Sequence, residues 1–182
     1  MRNPHVIGER VYLRPLERAD AAVLEPWFND PAVTENLVLR RPVNLDFEEE
    51  FIAALMKDEH RLVLGIALQA GDALIGTVGL EDIDFVNRQA QFGIAIGERG
   101  EWGKGYGAEA TRLVVAHAFR HLNLNRVALH VYETHTRAIR TYERAGFQRE
   151  GVLRQSRWQA TRYIDTIAMA ILRQEWLARE PA

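Results

Sequence analysis

The stretch Glu101-Trp102-Gly103-Lys104-Gly105-Tyr106-Gly107 constrains this chain more than any other. It follows a segment, Gln89 to Ile96, in which the large residues Phe92, Ile94 and Ile96 alternate with Gly93, Ala95 and Gly97. Downstream, Leu113, Val114, His117 and Ala118 recur at helical spacing from about Ala108 to Leu122. The order is therefore strand, glycine loop, helix. Loop glycines permit positive φ and let backbone N–H groups approach a ligand closely. The helix start adds unpaired N–H donors and a partial positive charge, and together these make an anion site. Lys104 supplies a formal charge in the same loop.

Three phosphate-binding architectures compete for such a loop. A P-loop needs Gly-Lys followed by Ser or Thr to reach a metal. Here Gly105 follows Lys104, and Glu98 stands where the first glycine belongs, so that architecture fails. A dinucleotide fingerprint fits locally: Gly103, Gly105 and Ala108 match its glycine pattern, and Glu133 ends the next strand as a ribose-binding acid does. Its doubly wound fold needs several further strand–helix units after the loop. The strand before the loop also alternates large and small, whereas a buried parallel strand is uniformly aliphatic. The third possibility depends on the elements around the loop.

Val11, Leu13 and Leu16 predict a first strand. Asp20 is placed to cap a helix carrying Val23, Leu24, Trp27 and Phe28, which Asp30-Pro31 breaks. A short helix with Val33 and Leu37 follows, then one from Asp46 with Phe47, Phe51, Ile52 and Leu55 on one face. Leu62 to Leu68 and Ala73 to Leu80 form a hairpin turning at Ala70-Gly71-Asp72. After the glycine-loop helix come a strand from Arg126 to Glu133, a helix from Thr136 to Ala145 ending at Gly146, and two last strands, Phe147 to Arg157 and Arg162 to Ile171. The expectation is an α+β fold with a central mixed, mostly antiparallel twisted sheet flanked by helices, in a single domain over 1–182.

Composition excludes several function classes. The chain has no cysteine, which removes disulfides, thiolate metal sites and an acyl-cysteine intermediate. A net charge of -2 gives no basic surface for nucleic acid, and no metal site is expected. The longest apolar run, Leu62 to Leu68, is too short to span a bilayer, and Met1 to Arg10 lacks an apolar signal core. A cytoplasmic location without membrane partners is the expectation.

The loop resembles the acetyl-CoA pyrophosphate loop of the GNAT acetyltransferases, whose pattern is Q/R-x-x-G-x-G/A. Gly105 and Gly107 take its glycine positions, and Trp102 replaces the Gln or Arg. One strand later, the run from His135 to Phe147 is similar to the GNAT segment N-x-x-A-x-x-x-Y-x-x-x-G-F, with Ala138, Tyr142, Gly146 and Phe147 in register and His135 in place of Asn. The opening Arg10-Val-Tyr-Leu-Arg-Pro-Leu, with Asp20, Trp27 and Asn29-Asp30-Pro31, resembles the branch containing ribosomal-protein N-terminal acetyltransferases and spermidine acetyltransferases.

This resemblance implies direct transfer of acetyl from acetyl-CoA to a primary amine in a ternary complex. Ile94, Ala95, Ile96, Trp102, Gly103, Lys104, Gly105, Tyr106, Gly107, Ala108, His135, Arg137 and Ala138 are the expected acetyl-CoA contacts, and Tyr142 the general acid on the departing thiolate. Where many relatives place a glutamate base, this chain has Gln89 and Gln91, neither of which can act as a base. Candidate bases are Glu81, Asp82, Asp84 and Glu35. Trp27, Phe28, Glu35 and Trp158 are candidate acceptor contacts. His117 reads as a core histidine, His130 as a strand residue near the site, and Glu48-Glu49-Glu50 as a solvated helix face. The acceptor classes rank as a protein or peptide α-amine, then a polyamine, by resemblance alone, as does a homodimer. Two other readings stay open: a non-catalytic acyl-CoA sensor, motivated by the missing strand glutamate, and a nicotinamide-dependent oxidoreductase.

Overall fold

The computed structural model describes residues 1–39 and 41–179. Its strands are β1 Val6–Ile7, β2 Val11–Pro15, β3 Leu62–Leu68, β4 Leu74–Asp84, β5 Gln89–Ile96, β6 Arg126–Tyr132, β7 Gln148–Gln159 and β8 Arg162–Leu172. Its helices are α1 Ala21–Asn29, α2 Pro31–Thr34, α3 Leu45–Leu55, α4 Tyr106–Arg120, α5 Thr136–Ala145 and α6 Arg173–Leu177. The strands form one sheet in the order β1-β2-β3-β4-β5-β6-β8-β7. Among the described residues, only β5 and β6 run parallel. Every other pairing is antiparallel, which rules out the doubly wound sheet that the dinucleotide fingerprint required.

Each face of the sheet buries a different set of residues because side chains alternate along a strand. Leu64 and Ile66 of β3, Val78 and Leu80 of β4 and Phe92 of β5 pack under Val114, Val115, Ala118 and Phe119 of α4. Phe119 is fully buried, and cutting it to alanine would cost about 3–5 kcal/mol. On the opposite face, Leu16, Ala21, Leu24 and Ile52 form a smaller core beneath α1 and α3, with Trp27, Phe28 and Val63 against it. The β3–β4 turn has φ of 86° at Gly71 and 58° at Asp72, as a tight hairpin turn demands.

Some local expectations are corrected. Asp20 does not cap α1 with its side chain; its carboxylate instead accepts two hydrogen bonds from Arg14, at 2.7 and 2.8 Å, and one from the Glu17 amide. Burial alone would push the Asp20 carboxyl up, but Arg14 and the Glu17 amide hold it below its ordinary value. Asn44 caps α3, and Phe47 of that helix is exposed. Glu48 takes the inward position and is only 3% exposed, so the acidic run is not a uniformly solvated face. Helix α2 ends at Thr34, short of Leu37, and α4 starts at Tyr106, two residues before Ala108.

Candidate active site

The parallel pair β5–β6 joins only at Gln89–Arg126, Ala90–Val127 and Gln91–Ala128. Beyond Gln91 the two strands part. The β5 backbone from Phe92 to Ile96 pairs with β4 on one side and borders a widening cleft on the other. Residues in register share a face, so Glu81, opposite Gln91 on β4, and Ala128 on β6 lie on the same side as Gln91. His130, two residues beyond Ala128 and exposed, joins that face where the strands separate. A side chain added at Gly93 would meet nothing within 4 Å, so this face of the sheet is open beside the fork.

The glycine loop closes the far end of β5. Gly103 and Gly105 have φ of 81° and 90°, conformations that glycine adopts without strain. Gly105 is the N-cap of α4, and an added Cβ at Gly103 would likewise meet open space. Loop amides therefore lie at a helix N-terminus with room for a ligand beside them, the arrangement that holds a diphosphate. Lys104 pairs with Glu101 at 2.9 Å, and this hydrogen bond keeps its ammonium above the ordinary lysine value. Trp102 donates from its indole nitrogen to the Ile96 carbonyl at 2.8 Å, which ties the loop to the strand end. Ile94 and Ile96 turn their side chains to the α4 side with Tyr106, leaving the strand backbone to face the cleft.

Helix α5 delivers Tyr142. Its ring lies edge-on to Phe92 at 6.0 Å and tilted against Phe147 at 5.9 Å. Burial pushes the Tyr142 hydroxyl up to about 12, so it stays protonated throughout the physiological range. His135 occupies the N-cap position of α5, where burial, then the charge of Arg137, holds its imidazole below the ordinary value. A neutral imidazole there offers one donor and one acceptor. Ala138 is partly buried against the main core, and Arg137 is exposed.

Helices α1 and α2 cover the opposite wall. Trp27 packs so closely on Gly97 that a Cβ at Gly97 would fall inside the ring. Phe28, Pro31, Thr34, Glu35 and Gln159 line a cavity of about 440 Å³. Gln159 donates to the Glu35 carbonyl at 3.4 Å, and the Tyr132 hydroxyl donates to the Leu37 carbonyl at 3.2 Å. Trp158, expected here, is instead edge-on to Tyr163 at 5.0 Å and 51% exposed. It is the strand neighbour of Gln159, and adjacent strand residues point to opposite faces.

The four candidate bases separate. Asp84 accepts from the amides of Val86 and Asn87 and from the Asn87 side chain, which lowers its carboxyl; it caps the β4–β5 turn. Asp82 sits at a strand irregularity with φ of 49° and is exposed. Glu35 borders the cavity, and Glu81 shares the face of the strand fork. His117 is partly buried on α4 between His5 and His121, with ring centroids 5.0 Å from each, and burial lowers its imidazole to about 4.

In the sequence, Arg10 stands only as the first residue of the opening motif and Glu109 in none, and neither is expected at the glycine loop. Glu109, 3% exposed, accepts from the amides of Glu9, Arg10 and Val11 at 2.8, 2.8 and 3.2 Å and from the Arg10 side chain at 3.1 Å. Arg10 in turn donates to the Lys104 carbonyl inside the glycine loop at 2.9 Å. A glutamate three residues into a helix reads as an ordinary first-turn acid, and only the fold shows what it holds.

The chain resembles known proteins over nearly its whole length. A protein of Bacillus licheniformis named uncharacterized N-acetyltransferase p20 is 32% identical over 171 residues, 92% of this chain and 96% of that protein. The spermidine N(1)-acetyltransferase of Vibrio cholerae is 30% identical over 175 residues, 95% of this chain and 99% of that protein. A crystal structure of the Vibrio cholerae spermidine N-acetyltransferase in complex with CoA and spermine superposes with a TM-score of 0.86 at 29% identity, covering 92% of this chain and 98% of that one. Residues 10–148 match the family model described as Acetyltransferase (GNAT) domain. The chain belongs to the GNAT acetyltransferases, enzymes that move an acetyl group from acetyl-CoA to an amine.

Proposed function

We propose that the acceptor is a small cationic amine of the polyamine class, bound in the cavity between α2 and the β7–β8 turn. The observation that carries this reading is the cavity itself. At about 440 Å³ it is sized for a small molecule, with Phe28, Pro31, Leu39 and Pro42 as apolar walls for an alkyl chain; its charged lining is Glu35 and Arg41, so an ammonium is taken at the Glu35 side. The spermidine acetyltransferase relatives support the same class. On this support we rank the polyamine ahead of the protein α-amine, which resemblance alone had ranked first.

The proposed division of labour follows the geometry. The amides from Trp102 to Ala108 receive the diphosphate, with Lys104 at the rim. The backbone of Ile94, Ala95 and Ile96 aligns the donor along the β5 edge, and a strand amide there meets the negative charge that develops on the thioester oxygen. His135, Arg137 and Ala138 border the donor from α5. The amine must be neutral to attack; Glu81, at the fork, takes its proton through water, and Glu35 holds the rest of the acceptor. Trp27 and Phe28 wall the acceptor side. The new N–C bond forms as the C–S bond breaks. Tyr142, near 12 against about 8.5 for an ordinary thiol, steadies the leaving sulfur as a hydrogen-bond donor and keeps its own proton; the sulfur departs as a thiolate and takes its proton from water, while the nitrogen's remaining extra proton is lost to solvent as the amide forms.

A single domain, a cytoplasmic location and a homodimer belong to the same reading. One continuous sheet supports the first. Among the described residues, no helix is long and apolar enough to cross a membrane. The exposed β7 edge with Val152 and Leu153 offers a surface for a second copy, and mass in solution at micromolar concentration tests it.

The deciding experiment measures free CoA released from acetyl-CoA with spermidine, spermine or a peptide bearing a free α-amine. Release with the polyamines is expected. Release with the peptide alone would overturn the acceptor. Acetyl-CoA binding with no release for any amine would favour the non-catalytic sensor, the reading that Gln89 and Gln91 keep open.

A further inference from the structure

The glycines that let the loop approach a diphosphate also leave it conformationally underdetermined. Gly103 and Gly105 flank Lys104, and glycine accepts φ of either sign. The Lys104–Gly105 peptide can thus rotate as a unit between two orientations. The choice is not neutral, because the C=O and N–H of a planar trans peptide point in opposite directions. One orientation presents the Gly105 amide to an anion, and the other presents the Lys104 carbonyl, whose negative end repels it.

Arg10 lies on one side of this peptide and binds its carbonyl at 2.9 Å. The Gly105 N–H therefore points to the opposite side, away from β2. Arg10 is itself held at three places. Its Nε donates to Glu109 at 3.1 Å, its guanidinium lies over the Tyr106 ring at 5.1 Å, and its own amide donates to Glu109 at 2.8 Å. Glu109 is fixed in turn by the amides of Glu9 and Val11. Burial would push the Glu109 carboxyl up, but the surrounding amides and Arg10 hold it below its ordinary value, so it is ionised at neutral pH. The space is also matched. A Cβ at Gly105 would come within 3.1 Å of the Arg10 guanidinium, and one at Gly8 would collide with the Glu109 carboxylate.

We propose that Arg10, anchored by Glu109, is a positioning residue that locks the Lys104–Gly105 peptide with its amide toward the acetyl-CoA diphosphate. Arg10 makes no bond to the reacting atoms. It acts by removing the flipped loop, so its effect falls on donors that carry a diphosphate. The inference rests on the use of acetyl-CoA and is independent of which amine is the acceptor.

The test compares Arg10→Met, which keeps an unbranched aliphatic stem and removes the guanidinium with its donors, with Arg10→Lys, which keeps a single cationic donor group. Calorimetry with CoA alone should show binding about tenfold weaker in Arg10→Met, with recovery of at least half the loss, on a logarithmic scale, in Arg10→Lys. The ratio of kcat/KM for acetyl-CoA to that for S-acetylpantetheine, which lacks the diphosphate, should fall by the same factor. In the free protein, the Gly105 amide resonance should move or broaden in Arg10→Met. Unchanged CoA affinity would overturn the proposal, as would an equal loss for both donors, which marks general damage to the fold. Should Arg10→Met fold poorly by thermal unfolding, Glu109→Gln carries the same comparison, because it loosens Arg10 and leaves the guanidinium in place.

Discussion

The indole of Trp102 donates to the carbonyl of Ile96, the last residue of β5, across 2.8 Å. Arg99 lies over the same ring at 5.8 Å and pairs with Asp30 at 3.4 Å, so the donor loop is joined to the start of α2 on the acceptor side. A residue that departs from the family pattern at this position therefore has a specific structural task.

Trp102→Phe keeps the ring and deletes the donor. A partly buried carbonyl loses its partner, at a cost of about 1 kcal/mol. The KM for acetyl-CoA should rise about fivefold while kcat stays within twofold, as steady-state kinetics will show.

Tyr142→Phe should lower kcat about 100-fold at saturating substrates, at the lower end of what a positioned hydrogen-bond donor to developing charge contributes. Binding of CoA by calorimetry should change little. Because burial lifts the hydroxyl to about 12, the wild-type rate should show no alkaline fall assignable to Tyr142 below about pH 11. A kcat retained in Tyr142→Phe would remove it from the mechanism.

Glu81→Gln and Asp84→Asn should behave differently. Glu81 faces the strand fork, so its loss should lower kcat about tenfold or more and steepen the dependence of rate on pH as the free amine becomes limiting. Asp84 holds a turn, so Asp84→Asn should lower the unfolding midpoint and leave kcat within twofold. If the two effects were exchanged, Asp84 would be the base.

His117 links stability to pH. Its imidazole falls from 6.5 in the unfolded chain to about 4 in the folded protein, chiefly by burial and then by the charges of His5 and His121. The unfolded state binds the extra proton between those values, so stability is full above pH 6.5 and declines as pH drops toward 4. At pH 5 the loss amounts to roughly 2 kcal/mol. Urea unfolding of His117→Gln should show a shallower decline over pH 6.5 to 4 than the wild type; parallel curves would assign the acid loss elsewhere.

Local chemistry was written plainly in the chain. Glycine at 103 and 105 implies positive φ and close backbone approach wherever the loop lies, and the spacing from Ala138 to Tyr142 to Gly146 implies one helix face and a left-handed end. Strand alternation likewise located β5 to the residue. These features depend on contacts within a few positions, so they survive without knowledge of the fold.

Tertiary structure alone decided which distant residues meet. Arg10 reaches Glu109 across 99 positions, and no periodicity records that pairing. Glu48 is buried while Glu50 is exposed, because the packing of α3 on α1 fixes the rotation of the helix. Gln159 rather than Trp158 turns into the cavity beside α2 because the β7 register sets which face each residue takes, and a shift of one residue would exchange them. The sequence by itself determined the anion loop and the tyrosine helix, whose geometry follows from backbone freedom and local spacing. The fork between β5 and β6, the peptide held by Arg10 and the separate surroundings of the four carboxylates come only from the tertiary structure, since each depends on how separate strands and helices register against one another in space.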